Sequence, residues 1–127
     1  IALEPLFYGA ATDERRAELI VQTAQRFATF AADLLKLPFP GSASACEQVT
    51  ASLDVPWAML SGGGTFEDFA DQITVANAAG CSGFMVGRAL WGEAVRAPLD
   101  KRRELLDTLV RPRFERLVAL NEEVRCG

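Results

Sequence analysis

Histidine is absent from the 127-residue chain. That removes imidazole as a general base, as the middle member of a nucleophile triad and as a metal ligand. Cysteine is scarce. Cys46, Cys81 and Cys126 are an odd, scattered trio without a CxxC pair, which suits reduced cytoplasmic thiols better than a disulfide framework or a zinc site. No apolar run approaches the roughly 20 residues needed to span a bilayer. No signal peptide is visible, yet the first residue is Ile1 rather than methionine, and the chain opens on an apolar run that reads as a strand. An upstream portion is therefore expected.

Positive charge is also in short supply. The net charge is −4, and residues 1–95 hold 5 basic and 11 acidic groups, net −6. Neither a nucleic acid nor an anionic membrane is an expected partner. Residues 96–127 hold 8 basic and 6 acidic groups, net +2, at helical spacing with mixed signs, the mark of a solvated face. Only two of the cations are lysines, Lys36 and Lys101, and Lys101 lies in a charged helical run.

The other lysine is the unusual one. Asp33-Leu34-Leu35-Lys36-Leu37-Pro38-Phe39-Pro40, followed by Gly41, reads as a buried strand and a turn. An ammonium in that setting is costly to bury. The alternative is an edge-strand lysine that discourages aggregation. We read Lys36 as an amine nucleophile, kept neutral by apolar surroundings, that forms a Schiff base with a carbonyl substrate.

The rest of the chain alternates strand and helix. Residues 1–8 read as a strand closed by Gly9, and Thr12 and Asp13 cap a helix running to about Phe30. The Lys36 strand is followed by a helix over about 45–53. Residues 56–60 form a third strand, ending in Ser61-Gly62-Gly63-Gly64. Thr65 and Asp68 make a capping box for a helix over 66–79. A fourth strand over 81–86 precedes Gly87-Arg88, a short helix over about 89–95 and a long terminal helix with a break expected at Arg111-Pro112. Strands this continuously apolar are buried on both faces, which predicts an α/β fold with a parallel sheet flanked by helices, in one domain over residues 1–127.

Glu4, Lys36, Ser61 and Arg88 fall on, or just past the C-terminal ends of, the four successive strands. In a parallel barrel or an open α/β sheet those ends converge on one ligand-binding face. Glu4 and Lys36, on neighbouring strands, are placed to share a layer, Glu4 being a proton-transfer candidate or merely a neutralising partner. The glycines after Ser61, leading into a helix, read as an oxyanion nest. Gly87 and Arg88 after the next strand add the forked donor that a phosphate needs. Ser61, Gly62, Gly63, Gly87 and Arg88 are thus the candidate phosphate-binding residues. Trp57, Phe84, Met85 and Trp91 read as core or pocket wall, and Cys81 as a small buried hydrophobe.

This series of motifs, with Ala79-Gly80-Cys81-Ser82-Gly83-Phe84-Met85-Val86-Gly87-Arg88-Ala89-Leu90-Trp91 as its last member, resembles the tagatose-1,6-bisphosphate aldolase family, which includes the sulfofructose-phosphate aldolases. The resemblance covers about residues 1–95. It implies a class I, metal-independent aldolase on a (β/α)8 TIM barrel that uses no cofactor. It also implies that Lys36 matches the Schiff-base lysine, that Glu4 matches an acidic residue on the preceding strand, and that Ser61, Gly62 and Arg88 match positions holding a substrate phosphate. Gly64 departs from the family's usual loop. A full barrel takes about 250 residues, so the resemblance assigns this chain to the C-terminal half, strands five to eight. A second lysine and an aspartate that the family carries on earlier strands have no counterpart here. The expected reaction of the whole enzyme is cleavage of a ketose (bis)phosphate, or a sulfosugar phosphate, to dihydroxyacetone phosphate and an aldehyde. The 127-residue piece alone is expected to be inactive and to pair with the missing half or with a second copy. The rival reading is a non-catalytic phosphate-binding half-barrel scaffold.

Overall fold

The computed structural model describes residues 1–7 and 12–126, with the side chains of residues 124–126 left aside. Its centre is a four-stranded parallel sheet in the order β1 (Ala2–Leu3), β2 (Leu34–Pro38), β3 (Trp57–Leu60) and β4 (Gly83–Met85). Each strand is joined to the next by a helix: α1 (Asp13–Phe27), α2 (Ala43–Ala51) and α3 (Phe66–Ala78). After β4 come α4 (Arg88–Arg96), α5 (Leu99–Leu105), a π-helical turn over Leu106–Val110 and α6 (Arg111–Cys126). This is the expected series of parallel β/α units.

Local chemistry sets the helix starts. Thr12 accepts a hydrogen bond from the Arg15 N–H at 3.2 Å, with Asp13 and Glu14 in the first turn of α1. Ser42 accepts from the Ala45 N–H at 3.1 Å to open α2. The Thr65–Asp68 capping box forms as expected, the Thr65 hydroxyl taking the Asp68 N–H and the Asp68 carboxylate the Thr65 N–H. Such side chains satisfy amides that a helix leaves unpaired in its first turn.

The end of α3 is equally specific. The Gly80 N–H donates to Asn77 O at 3.0 Å and the Cys81 N–H to Ala76 O at 2.9 Å, with Gly80 at φ +92°. That pair of bonds is the Schellman arrangement, which requires a left-handed residue in the position that Gly80 occupies.

The core lies between the sheet and the helices. Leu35 and Leu37 of β2, and Trp57 and Met59 of β3, are at most 1% exposed and meet Ile20, Val49, Phe69 and Ile73. Because side chains alternate along a strand, Lys36 and Leu60 point to the other face, where both are half-buried. Thr50 ties three elements together, donating to Ala79 O at 2.7 Å and accepting from the Trp57 indole N–H at 3.0 Å. Cys46 is fully buried and Cys81 nearly so, and both are free thiols.

The C-terminal cations are used rather than merely solvated. Arg113 and Arg116 lie over the Phe66 ring and bridge to Glu93 and Glu67 at 2.9 and 2.8 Å, which ties α6 to α4 and α3. Arg111 and Lys101 make the local helical pairs that the mixed charge pattern predicts. The expected break at Arg111-Pro112 takes the form of the π turn, in which the Arg111 N–H reaches back to Leu106 O. Pro112 has no N–H and its ring crowds the preceding turn, so the helix widens just before it.

Several elements are shorter than the sequence predicts, while α4 is longer than the expected 89–95 and α2 lies two residues earlier than the expected 45–53. Only Ala2 and Leu3 of the first strand pair with β2, and Tyr8 and Gly9 lie outside the described residues. α1 stops at Phe27 rather than Phe30, and β4 covers only three of the six expected residues. No helix among the described residues is long and apolar enough to cross a membrane.

Candidate active site

The parallel register fixes which side chains are neighbours. Leu3 pairs with Leu35 and Lys36 with Ala58, so Glu4, one residue beyond β1, falls beside Lys36. The Lys36 ammonium donates to the Glu4 carboxylate and forms an ion pair with it. The Lys36 side chain is 23% exposed and that of Glu4 39%. The leucines that flank Lys36 in sequence do not surround its amine. Leu35 and Leu37 face the helices, and the partner on the amine's own face is a carboxylate.

Glu4 also lines a cavity of about 540 Å³ at the C-terminal ends of the strands. Ser61, Gly62, Gly63, Gly87 and Arg88 line the same cavity, with Met85 and Trp91 as apolar wall. All the candidate residues except Lys36 therefore border one space, and Lys36 adjoins it through Glu4. The loops after β3 and β4 are joined by a long hydrogen bond of 3.4 Å, donated by the Gly87 N–H to the Ser61 hydroxyl.

Gly62 and Gly63 adopt φ +58° and +88°, and a Cβ at either would meet no protein atom within 4 Å. Their lack of a side chain serves the left-handed turn rather than protein packing. The expected nest leading into the next helix needs correction, because Asp68 occupies the start of α3 and Glu67 adds a second negative charge there. An anion meets repulsion at that end. The start of α4 is different: Gly87 is its N-cap, no side chain caps it and its first turn holds no acid. With Arg88 as the first helical residue, the end that favours negative charge is that of α4.

Sequence reasoning missed Arg16. It is the fourth residue of α1 and lines the 540 Å³ cavity. It also borders a second cavity of about 380 Å³, which Ser61 and Gly62 line as well. The available signal was subtle. Arg15 has Glu18 three residues on and pairs with it at 2.6 Å, whereas Leu19 and Ile20 occupy the corresponding positions after Arg16.

The fold is similar to that in the crystal structure of an archaeal fructose 1,6-bisphosphate aldolase, with a TM-score of 0.62 at 24% identity. The match covers 86% of this chain and 44% of that one, so the chain spans less than half the length of that aldolase. Its four parallel β/α units correspond to a fragment of a TIM-barrel aldolase. The model of the DeoC/LacD family of aldolases matches residues 1–93, the stretch that carries all four strands and both candidate loops, and the chain belongs to that family.

Proposed function

We propose that this chain carries the Schiff-base half of a class I aldolase acting on a ketose (bis)phosphate, such as tagatose 1,6-bisphosphate, or on a sulfosugar phosphate. The observation that carries the reading is the Lys36–Glu4 pair, a lysine on the non-core face of the sheet with a carboxylate on the adjacent strand, beside a cavity edged by Arg88 and the open start of α4. Membership of the DeoC/LacD family supports aldolase chemistry in general. The choice of sugar rests on the resemblance to the tagatose-bisphosphate branch.

Before reaction Lys36 must give up a proton, and Glu4 is the acceptor in contact with it. The free amine then attacks the ketone carbon, and loss of water leaves an iminium. The C3–C4 bond breaks with its electron pair moving into the iminium as an enamine, while the C4 hydroxyl proton passes to a base. Glu4 is the candidate for that proton and for those moved during imine formation. Protonation of the enamine at C3 and hydrolysis release dihydroxyacetone phosphate and regenerate the amine. The phosphate sits at the uncapped start of α4, held by Gly87 and Arg88, with Ser61, Gly62 and Gly63 lining the same cavity, so that the carbonyl meets the amine, an orientation effect.

Borohydride reduction in the presence of dihydroxyacetone phosphate tests this. The expected result is a stable adduct on the peptide that contains Lys36, absent in Lys36→Met. Phosphosugar binding without any reducible adduct, in a protein that includes the rest of the barrel, would favour the non-catalytic scaffold instead.

A further inference from the structure

Residues 1–95 contain five cations, Arg15, Arg16, Arg26, Lys36 and Arg88, among eleven acids. Two are neutralised locally, Arg15 by Glu18 and Lys36 by Glu4. Among the described residues, Arg16 and Arg88 form no ion pair with a carboxylate, and both border the 540 Å³ cavity. Their places in the fold are far apart in sequence, one on α1 and the other at the start of α4. Ser61 and Gly62 line the cavity with both. In an acidic chain, two unneutralised guanidiniums facing one space concentrate positive potential there.

We propose that Arg16 is a second anion-binding residue of this site, reaching from α1 the same oxyanion that Arg88 reaches from α4. The inference rests on the anion site described above and adds a residue to it. Two guanidiniums lining one cavity present two forks of N–H donors to a tetrahedral phosphate, more of whose oxygens are then contacted than by Arg88 and backbone amides alone. Arg16 also borders the 380 Å³ cavity, together with Asp13 and Asp68. The group recognised is an oxyanion, whether it is borne by a sugar phosphate or is free inorganic phosphate.

The test is calorimetric titration of inorganic phosphate and of dihydroxyacetone phosphate into the wild-type protein and into Arg16→Gln, Arg16→Lys and Arg88→Gln, with borohydride trapping run in parallel. Arg16 is exposed, so circular dichroism should show Arg16→Gln folded as the wild type. The expected result is about 10-fold weaker binding of both ligands in Arg16→Gln, the loss of one charge-assisted contact, with partial recovery in Arg16→Lys. Half-saturation of Lys36 trapping should shift by the same factor at an unchanged maximum. Weakening in Arg88→Gln but not in Arg16→Gln overturns the inference and leaves the proposed function standing. Weakening in neither variant removes the anion site itself.

Discussion

Replacing Gly80 by alanine gives a measurable test of how the sheet and helices are locked together. At φ +92° an L-residue is strained, by about 1–2 kcal/mol on the scale of left-handed residues. The added Cβ would also stand 2.7 Å from Thr50 Cγ2 and 3.2 Å from Thr50 Oγ1. Thr50 is not free to turn away, since its hydroxyl donates to Ala79 O and accepts from the Trp57 indole. Rotation would orphan an indole N–H on a side chain that is 1% exposed, and leaving such a group unsatisfied costs about 1–3 kcal/mol. Together these set a destabilisation of about 2–5 kcal/mol, a large share of the roughly 5–15 kcal/mol of a typical domain. Urea unfolding followed by tryptophan fluorescence and far-UV circular dichroism would measure it. Adding Thr50→Ser removes Cγ2 while keeping the hydroxyl, and should recover about 1 kcal/mol or more of the steric share. A loss under 1 kcal/mol for Gly80→Ala, or no recovery in the double variant, would refute the reasoning.

Two other outcomes follow from burial and ion pairing. Burial first, then the charges of Cys81 and Glu47, pushes the Cys46 thiol up to about 12 from its ordinary 9.0. Above pH 9 the unfolded chain therefore loses a proton that the folded chain keeps, so stability falls as pH rises towards 12, by about 1.4 kcal/mol per pH unit for one such thiol. Urea midpoints from pH 8 to 10 should fall more steeply in the wild type than in Cys46→Ala, and parallel slopes would count against it. Lys36→Met should abolish the borohydride adduct yet change stability by less than about 1 kcal/mol, because Glu4 stays hydrated once unpaired. A loss of several kcal/mol would make Lys36 a structural residue.

Much of this architecture is legible in the sequence because its signals are local. Continuous apolar runs ended by proline or glycine mark the strands, and Thr12 and Thr65–Asp68 mark helix starts that the structure places at the same residues. Strand lengths were not legible, since pairing depends on what lies alongside, and β1 offers β2 only two partners. The contact of Glu4 with Lys36 follows from alternation plus register. Apolar residues on either side of a strand lysine, by contrast, say little about its surroundings, and Leu35 and Leu37 turn to the opposite face. The capping box at Thr65 was itself a warning that the start of α3 was taken. Arg16 stayed hidden because the rotational phase of α1 about its axis, which decides what its side chains overlook, is set by packing and not by neighbouring residues.

The hydrogen bond from Gly87 to Ser61 has a further consequence. It fastens the loop after β3 to the loop after β4 before any ligand arrives. The entropy of holding those two segments together is met during folding, so in the proposed function an anion bound there would find the Ser61 and Gly87 contacts already spaced.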